Sequence, residues 1–383
     1  MSINHQDDTS QNNISIRELP ADEPLGVLEP VAYFNGAMPT GVSVSQKGRI
    51  FVNFPKWGDD VQFTVAEIKN GKAVAYPDES FNQTDPHDLA KALVSVQSVV
   101  VDPVDRLWIL DTGSPLFQQT EYGGPKLVCV DLTNDQVVKK ILFPQDVALP
   151  TTYLNDVRFD LRRGNEGMAF ITDSSQKGPN GIIIVDLASG ESWRHLHDHP
   201  STKAEELQNF VPIVEGRPFL EHQQDGSVKQ GASMGSDGIA ISADGSRLYY
   251  CPLGSRKLYS VDTDALADRA LDKRKVADTV ADEGDKGGAA DGLESDARGY
   301  IYSTNYEHNS ILRRHPDNRK WETVVHDPRL LWPDTLSIAL DGYLYVTANQ
   351  LHRQARYQKG QDLRRKPYTL FRIHIDTSPV LLR

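Results

Sequence analysis

Six short runs with apolar residues at alternate positions each open on a polar residue, and these six residues are Thr40, Gln97, Asn155, Asp237, Asp291 and Asp334. If the runs fold around one axis, three carboxyl groups meet there beside amide and hydroxyl oxygens. Carboxylates that lie close together and partly out of water need a cation, a shared proton or a basic ligand. The pattern therefore predicts a polar site for a positively charged partner.

Two kinds of chemistry suit such a site. Ca²⁺ and similar hard cations prefer carboxylate and amide oxygens, so Asn155, Asp237 and Asp291 are the predicted ligands of Ca²⁺ or another divalent cation. A carboxyl group that shares its proton can instead act as a general acid or base. The candidates for this catalytic role are Asp237, Asp291 and two histidines that follow strand ends, His308 and His352.

The predicted small-molecule site includes more than the carboxylates. The second run of each hairpin returns to the same face, where its last polar residue is Asn53, Asp111, Asp173, Asn305 or Asn349. The ligand-binding candidates are Asn155, Asp237, Asp291, Asp334, Gln97, Asn305 and Asn349. Nearby aromatic residues can form a wall for an amine or a catechol, and they are Trp108, Trp332, Tyr306 and Phe54. For any single aspartate the alternative role is to cap a turn.

These runs belong to a repeat that predicts the fold. Each copy is a hairpin such as "DGIAISADGSRLYYCP", and further strand-like runs such as "KLVCVDL" and "GIIIVDL" follow. The copies start 57, 58, 82, 54 and 43 residues apart, which suits propeller blades of four antiparallel strands. We expect an all-β chain that forms a six-bladed β-propeller of four-stranded antiparallel blades. The segment "PYTLFRIHID" and a strand from the N-terminal part should close the circle.

The domain organisation follows from the same spacing. Residues 26–383 should form a single propeller, and residues 1–25 a flexible N-terminal tail. The longest interval holds an insertion at about 192–235, which is long enough to cover one face as a lid. Within it "WRHLHDHP" brings three histidines to alternate positions, where they could bind a metal or simply be solvated. The segment "DALADRALDKRKVADTVADEGDKGG" is interpreted as an exposed charged insertion.

Composition excludes several classes of protein. The chain has 383 residues, 39% of them apolar and 25% charged, so wholesale disorder is excluded. Its net charge of −12 opposes binding to nucleic acid or to an anionic membrane surface. The two cysteines, Cys129 and Cys251, predict neither a zinc site nor a disulfide framework. No leader peptide is visible, so the chain is interpreted as cytoplasmic, or as secreted if a leader has been removed. The oligomeric state stays open.

Several segments resemble one known family. "SVVVDPVDRLWILDTG", "YLNDVRFD", "LYYCPLGSRKLYSV" and "WPDTLSIALDGYLYVTANQL" are similar to successive blades of the yellow and major royal jelly protein family, from about Ser95 to His352. The resemblance implies a six-bladed propeller whose channel mouth binds small molecules such as biogenic amines. In some members it implies the rearrangement of dopachrome-type precursors. The lack of a leader and the few cysteines favour a bacterial or intracellular type of member.

A more distant resemblance is to the propellers of gluconolactonase, regucalcin and paraoxonase. It implies a divalent ion that polarises a lactone carbonyl, held where Asn155, Asp237 and Asp291 stand in this chain. The first blade departs from that pattern, because the family's glutamate is expected near Thr40 and this chain has a neutral hydroxyl there.

Three hypotheses about function result. The leading one is a yellow-like propeller that binds a small polar or aromatic ligand at the channel mouth, with isomerisation by proton transfer as its chemistry. The second is a metal-dependent lactonase or esterase. The third is a non-catalytic propeller that binds other proteins, and it predicts an exposed apolar patch.

Overall fold

The structure of the chain is a computed structural model, and it describes residues 23–223 and 225–383. Its strands form six antiparallel four-stranded sheets that are arranged as the blades of a six-bladed propeller. The predicted fold class is therefore confirmed. The predicted tail lies outside the described residues, except for its last three positions.

The strands follow the repeat along the chain. The first thirteen are β1 (Glu29–Phe34), β2 (Val42–Val44), β3 (Ile50–Asn53), β4 (Val65–Lys69), β5 (Lys72–Ala75), β6 (Val96–Val101), β7 (Arg106–Asp111), β8 (Lys126–Asp131), β9 (Gln136–Leu142), β10 (Leu154–Asp160), β11 (Met168–Asp173), β12 (Gly181–Asp186) and β13 (Ser192–His195). After them come β14 (Ile213–Val214), β15 (Arg217–Pro218), β16 (Leu220–His222), β17 (Val228–Gln230), β18 (Ser236–Ile241), β19 (Arg247–Pro252), β20 (Lys257–Asp262), β21 (Ala281–Asp285), β22 (Leu293–Ser295), β23 (Ile301–Asn305), β24 (Ser310–Arg314), β25 (Trp321–His326), β26 (Pro333–Ile338), β27 (Tyr343–Ala348) and β28 (Tyr368–His374).

Each blade begins with its inner strand, and the chain then moves outward strand by strand. The first five blades are β2 to β5, β6 to β9, β10 to β13, β18 to β21 and β22 to β25. The sixth consists of β26, β27, β28 and β1, in that order. Because β1 pairs with β28 over Glu29 to Phe34, the start of the chain completes the last blade. This closure was predicted, and it is confirmed.

The apolar core lies between the blades. In β12 the four apolar residues Ile182 to Val185 are fully buried, and they pack alternately into the apolar clusters on the two faces of their blade. Trp108 belongs to this packing and donates from Nε1 to Asp102 Oδ2 at 2.9 Å. It therefore lies in the core between blades and does not form part of an aromatic wall at the mouth.

The charged segment before Asp291 folds more regularly than its composition suggests. It forms the short helices α1 (Thr263–Ala267) and α2 (Lys273–Ala277), followed by the outer strand β21. Asp262 and Asp272 accept hydrogen bonds from the first turns of α1 and α2, so each helix has a side-chain cap. The interpretation as a plain charged insertion was wrong, because these caps and the pairing with β20 order it. No helix in the described part of the chain is long and apolar enough to span a membrane.

The long insertion covers the face at which the inner strands begin. Its predicted first residues, Ser192 to His195, are the outer strand of the third blade, so we call residues 196–235 the lid. The lid contains the hairpins β14–β15 and β16–β17. Its Phe219 ring packs 4.9 Å from Trp332 and 4.4 Å from Tyr357, which follows the last inner hairpin. The lid thus lies over the channel mouth, together with residues 349–367, which we call the C-terminal loop.

Candidate ligand-binding site

The six polar residues that open the inner strands lie under the lid, and we call them the ring: Thr40, Gln97, Asn155, Asp237, Asp291 and Asp334. All are buried, and even Asp291 is only 8% exposed. Neighbouring blades are joined through them. Asn155 Nδ2 donates to Asp237 Oδ1 at 2.6 Å, and Thr40 Oγ1 donates to the Gln97 carbonyl at 3.3 Å.

Irregular pairing turns these side chains toward one another. The register of the inner hairpin shifts at the ring residue in four blades, at Gln97, Asn155, Asp237 and Asp334. A bulge leaves a residue out of the ladder and redirects its side chain. In the other two blades Thr40 and Asp291 precede the first paired residue. Strand alternation alone would not direct all six side chains inward.

In the third blade both Asn155 and Asp156 lie within the bulge, and only Asn155 contacts Asp237. Asp156 accepts a hydrogen bond from Ser98 Oγ at 2.6 Å and forms a salt bridge with Arg158 at 3.1 Å. Asp156 is therefore paired with a cation, whereas Asn155 belongs to the ring.

The three ring aspartates form a carboxyl cluster whose proton affinity is high. Burial raises the pKa of Asp237 well above its usual range, and the charges of Asp291 and Asp334 raise it further. Burial also raises the pKa of Asp334 well above the usual range. The pKa of Asp291 rises to about 6, because burial outweighs the hydrogen bonds from Trp332 and Asp237. No lysine or arginine among the described residues forms a salt bridge with these carboxyl groups.

The cluster therefore holds protons more strongly than free carboxyl groups do, and Asp291 ionises at about pH 6. A carboxylate beside a carboxylic acid can accept one proton and supply another. It can also receive a ligand cation, which would lower the pKa of its neighbours.

An aromatic wall stands against the cluster. The Trp332 and Tyr306 rings stack with centroids 4.1 Å apart and planes 8° apart. Trp332 Nε1 donates to Asp291 Oδ2 at 2.6 Å, and His352 also stacks on Trp332. The structure thus brings together two of the predicted wall residues. Phe54 lies in the same apolar cluster but contacts Phe34 and is not stacked on this wall.

Of the two predicted asparagines from second strands, Asn349 has the closer contact with the ring. Its Nδ2 donates to Asp334 Oδ2 at 2.6 Å. Asn305 packs so closely on Gly288 that a Cβ there would lie 2.3 Å from the Asn305 amide. The buried Asn305 Oδ1 has no hydrogen-bond partner among the described residues.

The acids at the ends of other second strands serve the loops. Asp111 forms a buried salt bridge with Lys126 at 2.9 Å, and Asp173 forms one with Arg194 at 2.8 Å. Both also accept hydrogen bonds from backbone N–H groups of the preceding loop. Each of these two acids is thus occupied by a cationic partner, and the second polar shell stays a prediction.

The two candidate histidines have different environments. His352 is buried against the wall, and its Nε2 lies 2.7 Å from Glu215 of the lid. Burial lowers its pKa, although the hydrogen bond to Glu215 opposes this. His308 lies exposed on the turn between β23 and β24. Of the catalytic candidates, Asp237 and Asp291 are members of the ring and His352 lies against the wall beside it. His308 is not part of the buried site.

The donor set fits a divalent cation poorly. Among residues 23–223 and 225–383, no group of three or more His, Cys, Asp or Glu side chains could hold a metal ion. Asp237 Oδ1 already accepts from Asn155, and Asp291 Oδ2 from Trp332. Ca²⁺ takes six to eight oxygen ligands. Binding of Ca²⁺ by Asn155, Asp237 and Asp291 stays a prediction.

The three histidines of the "WRHLHDHP" segment do not share one strand face. The strand β13 ends at His195, and Leu196 and Asp198 have positive φ, which breaks the alternation. His195 Nε2 contacts the Asp268 carbonyl, and His199 Nδ1 contacts Ser201 Oγ. The geometry thus favours a structural role over a metal site. Cys129 and Cys251 are buried free thiols in different blades.

Two site residues were missed by sequence reasoning. Tyr153 donates from its hydroxyl to Gln97 Oε1 at 3.1 Å, and it stands two positions before Asn155, so the repeat could have indicated it. Arg356 lies between the Phe117 and Tyr357 rings, 5.2 and 4.6 Å from their centroids. It comes from an irregular loop, for which no periodic signal exists.

A family model and the most similar curated proteins indicate the same family. The family model described as major royal jelly protein matches residues 94–376. Major royal jelly protein 1 of Apis mellifera is 29% identical over 197 residues, which are 49% of this chain and 40% of that protein. Protein yellow of Drosophila erecta is 27% identical over 262 residues, which are 64% of this chain and 44% of that protein. The alignments thus span less than half the length of these relatives.

Solved structures share the fold. A luciferin-regenerating enzyme superposes with a TM-score of 0.56 at 11% identity, covering 94% of this chain and 100% of that one. The calcium-binding protein regucalcin from Agrobacterium tumefaciens superposes with a TM-score of 0.54 at 13% identity, covering 94% and 99%. Similarity at this identity shows a common propeller architecture.

Proposed function

The chain belongs to the major royal jelly protein family, and from this we propose that its channel mouth binds a small ligand that carries a protonated amine and an aromatic ring. The observation that carries the proposal is the cluster of Asp237, Asp291 and Asp334, which forms no salt bridge with a basic side chain of the described residues and lies beside stacked aromatic rings.

The amine has a clear electrostatic role in this site. The Asp291 carboxylate is the natural first partner of an ammonium group, and a cation beside it would favour ionisation of Asp237 and Asp334. The ligand ring would lie against Trp332 and Tyr306, because aromatic faces attract both rings and cations. Binding should therefore release protons and strengthen as the pH rises through about 6, where Asp291 ionises.

A proton-transfer isomerase is a further candidate, favoured by the raised pKa values of the neighbouring Asp237 and Asp291. The ionised Asp291 would take a proton from a carbon atom of the ligand, and Asp237 would return one at another position. The two transfers balance, so the ligand leaves as a tautomer and needs no oxidant. Our proposal of binding does not depend on this activity.

The decisive experiment is calorimetric titration of tyramine at pH 7, with N-acetyltyramine as the matched ligand that lacks the charge. We expect tyramine to bind and the acetylated ligand to bind at least tenfold more weakly. Asp291→Asn should abolish the difference because it removes the charge and keeps the shape. Asp317→Asn is the control, since that carboxylate is exposed on the turn between β24 and β25.

Other outcomes would favour the competing hypotheses. If neither ligand binds, the amine site is refuted and a protein-interaction propeller becomes the better hypothesis. If Ca²⁺ binds tightly to metal-stripped protein, and Asp237→Ala and Asp291→Ala both lose that binding, the metal-dependent lactonase should be tested on a panel of lactones. Hydrolysis that persists after chelation would refute that lactonase mechanism.

A further inference from the structure

A groove of about 580 Å³ lies on the outer side of the aromatic wall, between the lid hairpin β14–β15 and the C-terminal loop. Its charged lining consists of the four arginines Arg217, Arg353, Arg364 and Arg365 and the two acids Glu215 and Asp362. Arginines thus outnumber acids in a chain whose net charge is −12. This local excess of positive charge attracts anions.

Two of these arginines are already paired. Arg353 Nη2 lies 2.6 Å from Glu215 Oε1. Arg364 forms salt bridges with Asp59 at 2.9 Å and with Asp362 at 2.6 Å. These pairs hold the lid and the C-terminal loop against the propeller and use both acids of the groove.

The remaining two arginines have no such partner. Neither Arg217 nor Arg365 forms a side-chain salt bridge or hydrogen bond with the part of the chain that the structure describes. Both line the groove but belong to different segments, Arg217 to the lid and Arg365 to the C-terminal loop. A planar guanidinium suits carboxylate, sulfate and phosphate oxygens, which accept two of its N–H groups at once.

The bottom of the groove is apolar and aromatic. Phe219 and Tyr357 line it with ring centroids 4.4 Å apart. His352, which is 2% exposed, also lines the groove, and its Nδ1 has no hydrogen-bond partner among the described residues. The volume lies within the range of small-molecule sites.

We propose that this groove binds a small organic anion, with an aromatic or aliphatic body on Phe219 and Tyr357 and a carboxylate, sulfate or phosphate group between Arg217 and Arg365. The site differs from the ring in the sign of its charge and in its position above the wall. Because the two arginines belong to the lid and the C-terminal loop, a bound anion would connect these segments. The inference does not depend on amine binding at the ring.

The test is calorimetric titration of phenyl phosphate, with benzoate as the carboxylate probe and benzyl alcohol as the uncharged one. We expect saturable binding of the anions and none of the alcohol. Arg217→Gln and Arg365→Gln should each lower the affinity for phenyl phosphate at least fivefold, and the double variant should abolish binding. Arg298→Gln removes the same charge from an exposed site elsewhere and should leave binding unchanged.

Several results would overturn the proposal. One is the lack of saturable binding of phenyl phosphate in the millimolar range. Another is equal weakening by Arg298→Gln, which would show that only the net charge matters. Thermal unfolding of each variant checks that the lid variants are folded, and both arginines are exposed, so their replacement should not disturb the core.

Discussion

At the scale of single residues, the presence or absence of a cationic partner gives buried aspartates different roles. Asp111 and Asp173 lie next to cations and accept backbone hydrogen bonds, so they hold loops. Asp237, Asp291 and Asp334 have no cationic partner in the described part of the chain, and their pKa values are raised, so they bind protons more tightly. Aspartates at the ends of second strands therefore support structure, whereas those that open the inner strands form a candidate binding site.

This proton uptake predicts how stability depends on pH. The pKa values of the ring aspartates are higher in the folded state than the usual value of about 3.9 for an unfolded chain. The folded protein therefore binds more protons, and this contribution to the free energy of unfolding is present below about pH 4 and is lost as the pH rises. Asp237→Asn mimics the protonated group. We expect its stability relative to wild type to increase between pH 4 and 7, by at most about 1.4 kcal/mol per pH unit.

Urea denaturation at pH 4, 5.5 and 7 would measure this difference. Asp317→Asn, at an exposed position, should differ from wild type by no more than about 0.5 kcal/mol throughout. A pH-independent difference for Asp237→Asn would contradict the high pKa of the cluster.

At the scale of elements, a clasp at the turn of β14–β15 joins the lid to the C-terminal loop. Glu215 and Gly216 both have positive φ, as the tight turn between two antiparallel strands requires. The Glu215 carboxylate reaches Arg353 and His352 of the C-terminal loop. The hydrogen bond from Arg353, followed by that from His352, holds the pKa of Glu215 well below its usual range. The clasp should therefore persist at neutral pH and weaken only in strong acid.

Glu215→Gln should loosen the lid without unfolding the propeller. It removes the charge of the clasp, and since Glu215 is partly exposed we expect a loss of only about 0.5–1 kcal/mol in lid stability. Hydrogen exchange should become faster in residues 213–222, while the blades keep their protection. Glu221→Gln, in the same lid but without a salt bridge in the described structure, is the control. Equal exchange in both variants would show that Glu215 does not hold the lid.

At the scale of the whole molecule, stability depends on closing the circle of blades. The sixth blade is complete only when β1 pairs with β28, so residues near both ends of the described chain share one sheet. Phe34 of β1 is buried against Phe54 of the first blade, whereas the adjacent Tyr33 is exposed. The Phe34 side chain thus helps to join the last blade to the first.

Phe34→Ala should lower the free energy of unfolding by about 3–5 kcal/mol, the usual cost of deleting a buried phenylalanine. Tyr33→Ala on the same strand should change it by no more than about 0.5 kcal/mol. Chemical denaturation followed by circular dichroism measures both. Similar values for the two variants would mean that β1 contributes little to closure.

The repeat made most of the architecture predictable. Alternation of apolar residues and turn chemistry are local properties, so the six hairpins, their third strands and the closing strand could be read directly from the chain. The six ring positions followed from the same register. Trp332 and Tyr306 were also accessible, because each lies within two positions of a strand end that the repeat marks.

Tertiary structure alone decided which of these residues form a site. Salt bridges such as Asp111 with Lys126, and the contact of Phe219 with Trp332, join segments whose separation no local pattern encodes. The bulges that turn Asn155 and Asp237 inward, and the groove between the lid and the C-terminal loop, depend on irregular backbone packed by distant neighbours. The sequence by itself therefore determined the propeller and the members of the ring. Long-range packing decided their protonation, the face that the lid covers and the positions of the unpaired arginines, because burial and pairing are properties of the folded neighbourhood.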